Sequence, residues 1–184
     1  MRIVVSGTHA VGKSTLVSDF ALAHPTYVVL PDPFELVDEE DAASAWSFVA
    51  QLHVAAERLT EWGPGSDVVA ERGPLDLLAY LRALDDLGRG SVAPGLLATL
   101  EAGSAEAMGH VDLLVVLPLD PAAGIWVPDD EDPELREAMD AALLDLVEDP
   151  DLVGAARVLE LTGPPEARLA RLTRAVDGPT RPGS

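Results

Sequence analysis

The sequence contains no cysteine among its 184 residues. Without thiols the chain cannot form a disulfide scaffold, a thiolate zinc site, an iron–sulfur cluster or a cysteine nucleophile. It also lacks an uninterrupted apolar run of about 18 residues and a basic leader followed by an apolar stretch, the patterns of a transmembrane helix and of a signal peptide. These absences predict a soluble cytoplasmic protein that does not bind membranes.

Basic residues are scarce, with 12 Lys and Arg against 32 Asp and Glu and a formal net charge of −20. This balance opposes nucleic-acid binding, because the neutralisation of phosphates needs patches of Lys and Arg. Lys13 is the only lysine in the chain. A biased genome or a high-salt habitat explains the preference for arginine, but neither explains the position of the one ammonium group.

The composition is that of one globular domain. Apolar residues make up 48% of the chain and charged residues 24%, as in folded soluble proteins. A chain of this length fits one domain and buries enough surface to fold without a covalent or metal staple. We place that domain at residues 1–176 and expect residues 177–184 to be a frayed tail.

Short apolar runs alternate with segments of helical periodicity along the whole chain. Strands are predicted at residues 2–6, 27–30, 67–70, 111–117 and 158–161, and helices at 14–23, 42–62, 74–87, 94–107, 133–147 and 166–176. The run at 111–117 is the most apolar and is predicted to be the central strand. The pattern predicts a three-layer α/β fold with a five-stranded parallel sheet, helices on both faces and a short lid after the fourth strand. Ligands of such sheets bind beyond the carboxyl ends of the strands.

A phosphate-binding motif directly follows the first predicted strand. Residues 7–15 read GTHAVGKST, an unbroken G-x-x-x-x-G-K-S that opens a helix, and we call them the phosphate loop. The two glycines let backbone N–H groups approach a phosphate, and the helix presents its positive end to the same anion. Lys13 adds a compact charge for the terminal phosphates, and the Ser14 hydroxyl suits Mg²⁺. We therefore expect ATP and Mg²⁺ to be bound by Gly7, His9, Ala10, Val11, Gly12, Lys13, Ser14 and Thr15.

Two classes of nucleotide-binding protein fit the sequence poorly. A Ras-like GTPase reads guanine with Asn-Lys-x-Asp, and the chain has no second lysine for that motif. An AAA+ motor needs a helical lid domain and ring contacts, for which 184 residues leave little room. A compact phosphotransferase or a small ATPase module is left.

Charged residues follow the second and third predicted strands. Asp32 follows one strand, and Glu71 and Arg72 follow the next. A carboxylate at this edge can accept the proton of an attacking hydroxyl or hold magnesium. An arginine there can clamp the acceptor or the transferring phosphoryl group. Turn formation for Asp32, and a surface ion pair for Glu71 and Arg72, are the structural alternatives.

Four segments resemble the small P-loop kinases: GTHAVGKST, LPDP, VVAERGPLDLLAYL, and RVLELTG followed by Arg168. The chain is most similar to ribosylnicotinamide-kinase-like ATPase domains and more distantly to deoxynucleoside and thymidylate kinases. This resemblance spans most of residues 1–176 and implies a five-stranded parallel sheet. It implies that Asp32 is a base or magnesium ligand, that Arg72 contacts the substrate, and that the turn of Thr162 and Gly163 lies near the adenine.

The segment after the fourth strand departs from the kinase pattern. Such kinases carry arginines in a lid that closes over the phosphates and excludes water. Here Arg136 is the only basic residue of the segment 120–146, among several carboxylates. We expect Arg136 to cover the phosphates, the alternative being a pairing along its helix with Asp132 or Asp140. Arg82 and Arg89 are the other candidate sources of an arginine.

The helix after the second strand is predicted to line the acceptor pocket, since the resemblance places that pocket there. Trp46 and Phe48 could stack on a base and Gln51 could read its edge, the alternatives being core packing for the aromatics and a solvated surface position for Gln51. This helix also carries His53 and Arg58. Trp126, in the lid, suggests a ligand or partner contact.

The sequence as a whole predicts an ATP- and Mg²⁺-dependent kinase of a small hydroxyl-bearing acceptor, with a nucleoside-like compound favoured. The expected catalytic residues are Lys13, Asp32, Glu71, Arg72 and Arg136, the expected metal-holding residues are Ser14, Asp32 and Glu71, and Gly163 is expected to contact the nucleotide. The alternative is a regulatory ATPase module controlled by a protein partner, and a third is an interaction protein with a relic loop. The oligomeric state is left open, a homodimer included.

Overall fold

The computed structural model describes residues 1–36, 44–129 and 131–178. Five parallel strands form one sheet in the order β2-β3-β1-β4-β5. Their bounds are β1 Arg2–Ser6, β2 Val28–Leu30, β3 Val68–Glu71, β4 Leu113–Val116 and β5 Arg157–Glu160. The predicted five-stranded parallel sheet is confirmed. The prediction that the most apolar strand is central is wrong in detail, because β1 is the middle strand and β4 lies between β1 and β5.

Seven helices connect or follow these strands in the described residues. They are α1 Lys13–Ala23, α2 Ala45–Thr60, α3 Pro74–Asp86, α4 Pro94–Met108, α5 Pro133–Val147, the single turn α6 Pro150–Val153, and α7 Pro165–Asp177. Two short 3₁₀ turns lie at Pro33–Leu36 and Pro121–Ala123. The periodicity of the sequence does not predict α6, and it predicts a second helix up to residue 62, whereas α2 ends at Thr60.

The ends of two predicted segments are only partly covered by the structure. Residues 42 and 43, predicted to start the second helix, lie outside the described residues, as do residues 179–184 of the predicted tail. Asp177, placed in that tail, belongs to α7. The division into a domain at 1–176 and a tail stays a prediction.

Helices cover both faces of the sheet, which confirms the three-layer architecture. One apolar core packs α2, α3, α4 and α5 against one face of the sheet. The second core packs α1 and α7 against the opposite face. Because successive residues of a strand point to opposite faces, Val4 enters the first core while Ile3 and Val5 enter the second. The three inner strands β3, β1 and β4 are buried on both faces, which explains why they read as nearly continuous apolar runs.

None of the helices in the described parts of the chain combines the length and apolar character needed to cross a membrane. All five strands run in the same direction, so their carboxyl ends lie along one edge of the sheet. The phosphate loop follows β1 at this edge, and the residues after β2 and β3 flank it.

Candidate active site

The phosphate loop joins β1 to α1 in a conformation that requires glycine at two positions. Gly7 has φ of +153° and Gly12 has φ of +92°. A Cβ atom on Gly7 would lie 2.6 Å from the backbone oxygen of Leu117, and one on Gly12 would lie 2.7 Å from Cδ1 of Ile125. Such contacts are shorter than van der Waals packing allows. Because the Leu117 oxygen belongs to the backbone and Ile125 Cδ1 is the end of a flexible side chain, close approach explains Gly7, and the left-handed backbone conformation explains Gly12.

Backbone N–H groups of the loop are free to bind an anion. Among the described residues, the N–H groups of residues 10–15 donate to no protein acceptor, and the first intrahelical bond is from Leu16 N–H to the Gly12 carbonyl, at 3.1 Å. Four unpaired N–H groups at a helix start are expected, and the helix dipole adds to their attraction for negative charge. The loop has the free donors that a bound phosphate would accept from.

Three cationic side chains donate to carbonyl groups of the loop. Lys13 Nζ lies 2.8 Å from the Thr8 oxygen, Arg136 Nε 3.0 Å from the His9 oxygen, and Arg168 Nη1 2.7 Å from the Val11 oxygen. These bonds come from α1, α5 and α7, so helices from both faces of the sheet meet at the loop. The two arginines each fix the orientation of a peptide group and concentrate positive charge around the anion site.

Asp76 on α3 ties the base of the loop to the rest of the sheet. Its buried carboxylate accepts from the Ser6 hydroxyl at 2.6 Å, the Gly7 N–H at 2.7 Å and the Gly73 N–H at 2.9 Å. Asp76 is not predicted from the sequence, because an acidic residue in the first turn of a helix is typical of ordinary capping.

Replacement of Asp76 by alanine is expected to lower the free energy of unfolding by about 3–5 kcal/mol, since three buried donors lose their acceptor. Urea denaturation measures this change. Asp85→Ala, an exposed site near the end of the same helix, is the matched control and should change stability by less than about 0.5 kcal/mol. A loss below about 1 kcal/mol in Asp76→Ala would contradict the assigned role.

Ser14 and Glu71 meet at the mouth of the loop. The Ser14 hydroxyl donates to Glu71 Oε1 at 2.5 Å, which joins the start of α1 to the end of β3. Ser14 is exposed and Glu71 is half-buried, so both are accessible. The structure thus brings together two of the three residues predicted to hold the metal.

Asp32, the third of these residues, is paired with Arg72. Arg72 Nε lies 2.9 Å and 3.1 Å from the two carboxylate oxygens, and the Phe34 N–H donates to Oδ1 at 3.0 Å. Burial raises the pKa of Asp32, but the charge of Arg72 and these hydrogen bonds outweigh burial and hold the pKa below its ordinary value. Asp32 is therefore an ionised carboxylate at neutral pH.

Arg72 is held in a conformation that non-glycine residues rarely adopt. Its φ is +66°, in the turn between β3 and α3, and its side chain is buried. Its N–H donates to the Val5 carbonyl at 3.0 Å. Among the described residues, Arg72 Nη1 is buried without a hydrogen-bond partner. Strained backbone of this kind is concentrated at functional sites, and the Nη1 group of this guanidinium carries N–H donors that no acceptor in the described residues occupies.

Tyr80 connects the loop with the side of the sheet that carries α2. Its hydroxyl accepts the His9 N–H at 3.0 Å and lies 3.3 Å from the Thr8 hydroxyl. Its ring stacks on Phe48 with centroids 4.6 Å apart, and the Arg72 guanidinium carbon lies 5.4 Å from the ring centroid. The role of Tyr80 is not predicted from the sequence, because a tyrosine on an apolar helix face is typical of a core residue.

The buried cations change the acid–base behaviour of the loop. Burial and the charge of Arg72 lower the pKa of Lys13 to about 8, against the opposing effect of three nearby carboxylates. Burial and the charges of Arg72 and Lys13 lower the pKa of His9 to about 3. His9 is therefore neutral at physiological pH, whereas Lys13 is charged there and loses its proton in the weakly alkaline range.

Affinity for a nucleoside triphosphate is therefore expected to fall as the pH rises above 8, because the free protein must then take up a proton before Lys13 can pair with the phosphates. The decrease approaches about tenfold per pH unit. Titration calorimetry with Mg·ATP between pH 7 and 9.5 measures it. His9→Asn should show the same profile, and a constant affinity over this range would exclude Lys13 as the titrating group.

The side chains of the helix predicted to line the acceptor pocket differ in their exposure. Phe48 is buried core, and Gln51 is 2% exposed and donates to the Ser47 hydroxyl at 2.9 Å, so its interpretation as a solvated residue is wrong. Arg58 donates to the Pro31 carbonyl at 2.8 Å. Trp46 is 67% exposed and is not part of the core.

The lid segment reaches the loop through Arg136 and Ile125. In the described part of the chain, Arg136 forms no ion pair with Asp132 or Asp140. The alternative that Arg136 pairs along its own helix is therefore not observed. The two other candidate arginines are engaged elsewhere. Arg82 pairs with Glu101 on α4, and Arg89 pairs with Asp132 and Glu134 at the start of α5.

A cleft of about 390 Å³ lies between the loop and the lid. It is lined by Ala10, Val11, Asp120, Ile125, Arg136 and Arg168, among others. The Gly163 N–H donates to Asp120 Oδ2 at 2.7 Å, so the turn predicted to lie near the adenine is beside this cleft. The cleft is continuous with the phosphate loop through Ala10 and Val11.

Comparison with known families agrees with this geometry. A family model described as "AAA domain" matches residues 2–168. The chain belongs to the AAA-domain family. The match covers the sheet and its helices up to the first turn of α7, and the described residues contain no separate helical domain of the kind that an AAA+ motor needs. No curated protein is significantly similar to this AAA-domain protein.

Solved structures resemble this AAA-domain protein over nearly its whole length. Thymidylate kinase from Candida albicans has a TM-score of 0.65 at 15% identity, with 96% of this chain and 90% of that chain covered. Deoxyadenosine kinase from M. mycoides with bound dATP has a TM-score of 0.69 at 13% identity, with 97% of this chain and 100% of that chain covered. The same enzyme with bound dCTP has a TM-score of 0.69 at 14% identity, with 96% of this chain and 99% of that chain covered. The predicted small P-loop kinase fold is thus confirmed.

Proposed function

We propose that this AAA-domain protein is a phosphotransferase that moves the γ-phosphoryl group of ATP to a hydroxyl of a small nucleoside-like acceptor, with Mg²⁺. One observation carries the proposal. The Ser14–Glu71 pair and the Asp32–Arg72 pair lie after adjacent strands at the edge that carries the phosphate loop. A site for triphosphate and metal thus adjoins a carboxylate and a guanidinium suited to an acceptor.

The residues present fit a magnesium-bound triphosphate. Ser14 would hold the metal directly and Glu71, its hydrogen-bond acceptor, would hold metal-bound water, since Mg²⁺ keeps several waters and few protein ligands. Among the described residues, no group of three or more His, Asp or Glu side chains that could hold a metal occurs. When bound, Mg²⁺ neutralises charge on the phosphate oxygens.

Asp32 would act as the base toward the acceptor. The acceptor hydroxyl oxygen forms a bond to the γ-phosphorus while the bond from that phosphorus to the β–γ bridging oxygen breaks, and ADP leaves with the electron pair. The hydroxyl proton passes to Asp32, which is ionised because Arg72 pairs with it. Lys13 and Arg136 would stabilise charge on the phosphates.

A neutral acceptor fits the electrostatics of the chain better than an anionic one. The net charge of −20 repels nucleotides at long range, whereas a nucleoside or a sugar feels no such repulsion. The similarity of the fold to thymidylate kinase and deoxyadenosine kinase supports a nucleoside-like acceptor. The same charge gives no support to a nucleic-acid partner.

A partner-controlled ATPase module is the second candidate, and an exposed aromatic side chain on the lid and the pairing of two arginines outside the lid favour it. Trp126 is 76% exposed on this segment. Arg82 and Arg89 pair with carboxylates rather than with the loop. An arginine or a surface from a partner would then complete the site.

One assay separates the two candidates. The protein is incubated with Mg·ATP and a panel of nucleosides, nucleoside monophosphates and sugars, and both ADP and the phosphorylated product are measured. ADP release that depends on one acceptor class and matches product formation supports the kinase. Slow hydrolysis that no acceptor accelerates supports the ATPase module and refutes the kinase proposal.

A further inference from the structure

Arg168 on α7 is buried with most of its hydrogen-bonding capacity unused. It is 1% exposed, and its Nη1 donates to the Val11 carbonyl at 2.7 Å. Among the described residues, neither Nε nor Nη2 has a hydrogen-bond partner, although both atoms are buried. A buried charge with unsatisfied donors is unfavourable for folding, so the fold alone does not account for this side chain.

The guanidinium lies at the cleft between the phosphate loop and the lid. Arg168 lines this cleft together with Val11 and Asp120. A Cβ atom on Gly12 would lie 3.6 Å from Arg168 Nη1, which places the side chain against the second glycine of the motif as well. A nucleotide bound to the loop would therefore pass close to it.

The two unpartnered nitrogens form one edge of the guanidinium. Nε and Nη2 present parallel N–H donors, and such a pair binds two adjacent acceptor atoms. Asp120 is the carboxylate that lines the same cleft, but its Oδ2 accepts from Gly163 N–H and its Oδ1 from Ala122 N–H. Arg168 forms no hydrogen bond with Asp120, so both donors are left without an acceptor in the described protein.

We propose that Arg168 is a further nucleotide-binding residue, whose Nε and Nη2 bind a pair of adjacent acceptor atoms on the nucleotide held by the phosphate loop. This inference rests on the proposed function, because it needs a triphosphate on the loop. Nη1 remains on the Val11 carbonyl, so one side chain orients the loop and contacts its ligand. In this way α7 supplies a second cation to the cleft, in addition to Arg136 of the acidic lid.

Two parts of a nucleotide offer such an acceptor pair. Two oxygens of the phosphate chain are one source. The O6 and N7 atoms of a 6-keto purine are the other, and adenine cannot supply that pair because its N6 is a donor. The first source gives no preference among bases, and the second favours GTP and ITP over ATP.

The test measures dissociation constants of Mg·ATP, Mg·GTP, Mg·ITP and magnesium tripolyphosphate by titration calorimetry, for wild type, Arg168→Lys and Arg168→Met. Lysine keeps a charge and a donor for the Val11 carbonyl but loses the parallel pair. We expect both variants to weaken binding at least about tenfold. Equal weakening of all four ligands identifies phosphate oxygens, and weakening confined to GTP and ITP identifies the base edge.

Stability of the free protein separates ligand binding from a structural role. Removal of a buried charge with unsatisfied donors should leave the thermal midpoint of Arg168→Met unchanged or higher, while a structural role predicts a fall in that midpoint. Arg171→Met is the matched control, since Arg171 lies on the exposed side of the same helix and donates to the Glu160 carbonyl. Its binding should equal that of wild type.

Three results would overturn the role of Arg168. The first is that both variants bind all four ligands with dissociation constants within twofold of wild type, and the second is that Arg168→Lys alone binds them fully. The third is a fall in the thermal midpoint of Arg168→Met that accompanies its loss of binding. Failure of the wild-type protein itself to bind any of the four ligands would instead refute the proposed function. The two failures are thus distinguishable in one set of titrations.

Discussion

Lys13→Ala is expected to lower acceptor-dependent ADP formation by about 100- to 1000-fold, the largest effect of any single substitution in the loop. Lys13 is the only ammonium group of the chain. It is 5% exposed and donates to the Thr8 carbonyl within the loop. A compact charge here would pair with the terminal phosphates, and no arginine of the described structure lies in the same position. Steady-state kinetics with saturating acceptor measure the change.

The fold should survive this substitution, because the burial that lowers the pKa of Lys13 disfavours its charged form in the folded state. We expect Lys13→Ala to retain the thermal midpoint of the wild type. Arg171→Ala, which removes an exposed cation, should retain wild-type activity. A Lys13→Ala variant with more than about a tenth of wild-type activity would contradict the assignment of the loop as the triphosphate site.

Asp32→Asn is expected to lower kcat by about 100- to 10,000-fold while nucleotide affinity changes little, because the base is lost and the shape is kept. The amide oxygen can still accept from Arg72, which limits the cost of leaving that buried cation unpaired. Because the pKa of Asp32 is below its ordinary value, Asp32 contributes no change in kcat of the wild type between pH 6 and 8. Rapid-quench and steady-state assays measure both quantities.

Glu71→Gln separates the two carboxylates. If Glu71 serves the metal, this variant needs more Mg²⁺ for half-maximal activity, and its kcat at saturating Mg²⁺ stays close to that of the wild type. Asp112→Asn is the matched control, because Asp112 also pairs with an arginine, Arg2, but precedes β4 at the opposite edge of the sheet. A kcat loss confined to Glu71→Gln would transfer the role of base from Asp32 to Glu71.

Local signals explain why the fold and the loop could be predicted from the sequence. Strands buried on both faces read as continuous apolar runs, and the helices between them keep a helical period. The motif of residues 7–15 depends on contiguous residues, so its glycines, its lysine and its serine are visible without any tertiary contact. The sequence predicts that Asp32, Glu71 and Arg72 lie at the candidate site, because the carboxyl ends of parallel strands lie along one edge of the sheet.

Pairings between distant segments could not be predicted in this way. Whether Arg136 faces its own helix or the loop depends on how α5 packs, and the structure places it on the His9 carbonyl, 127 residues away. The burial of Gln51 has a different, local reason, because its amide is satisfied by the Ser47 side chain one turn earlier on the same helix. Sequence periodicity gives the face of a helix but not the partner of each side chain.

The sequence by itself determined the parallel α/β architecture, the phosphate loop and the edge of the sheet at which chemistry occurs, because each depends on residues that are near one another in the chain. Only the tertiary structure decided how the loop is held and which groups remain free. Asp76, Tyr80 and Arg168 are ordinary helix residues in the sequence, and each acquires its role by meeting a loop that lies 69 to 157 residues away. Burial at that meeting point lowers the pKa of Lys13 and leaves two donors of Arg168 without a partner in the described chain, and no local pattern encodes either effect.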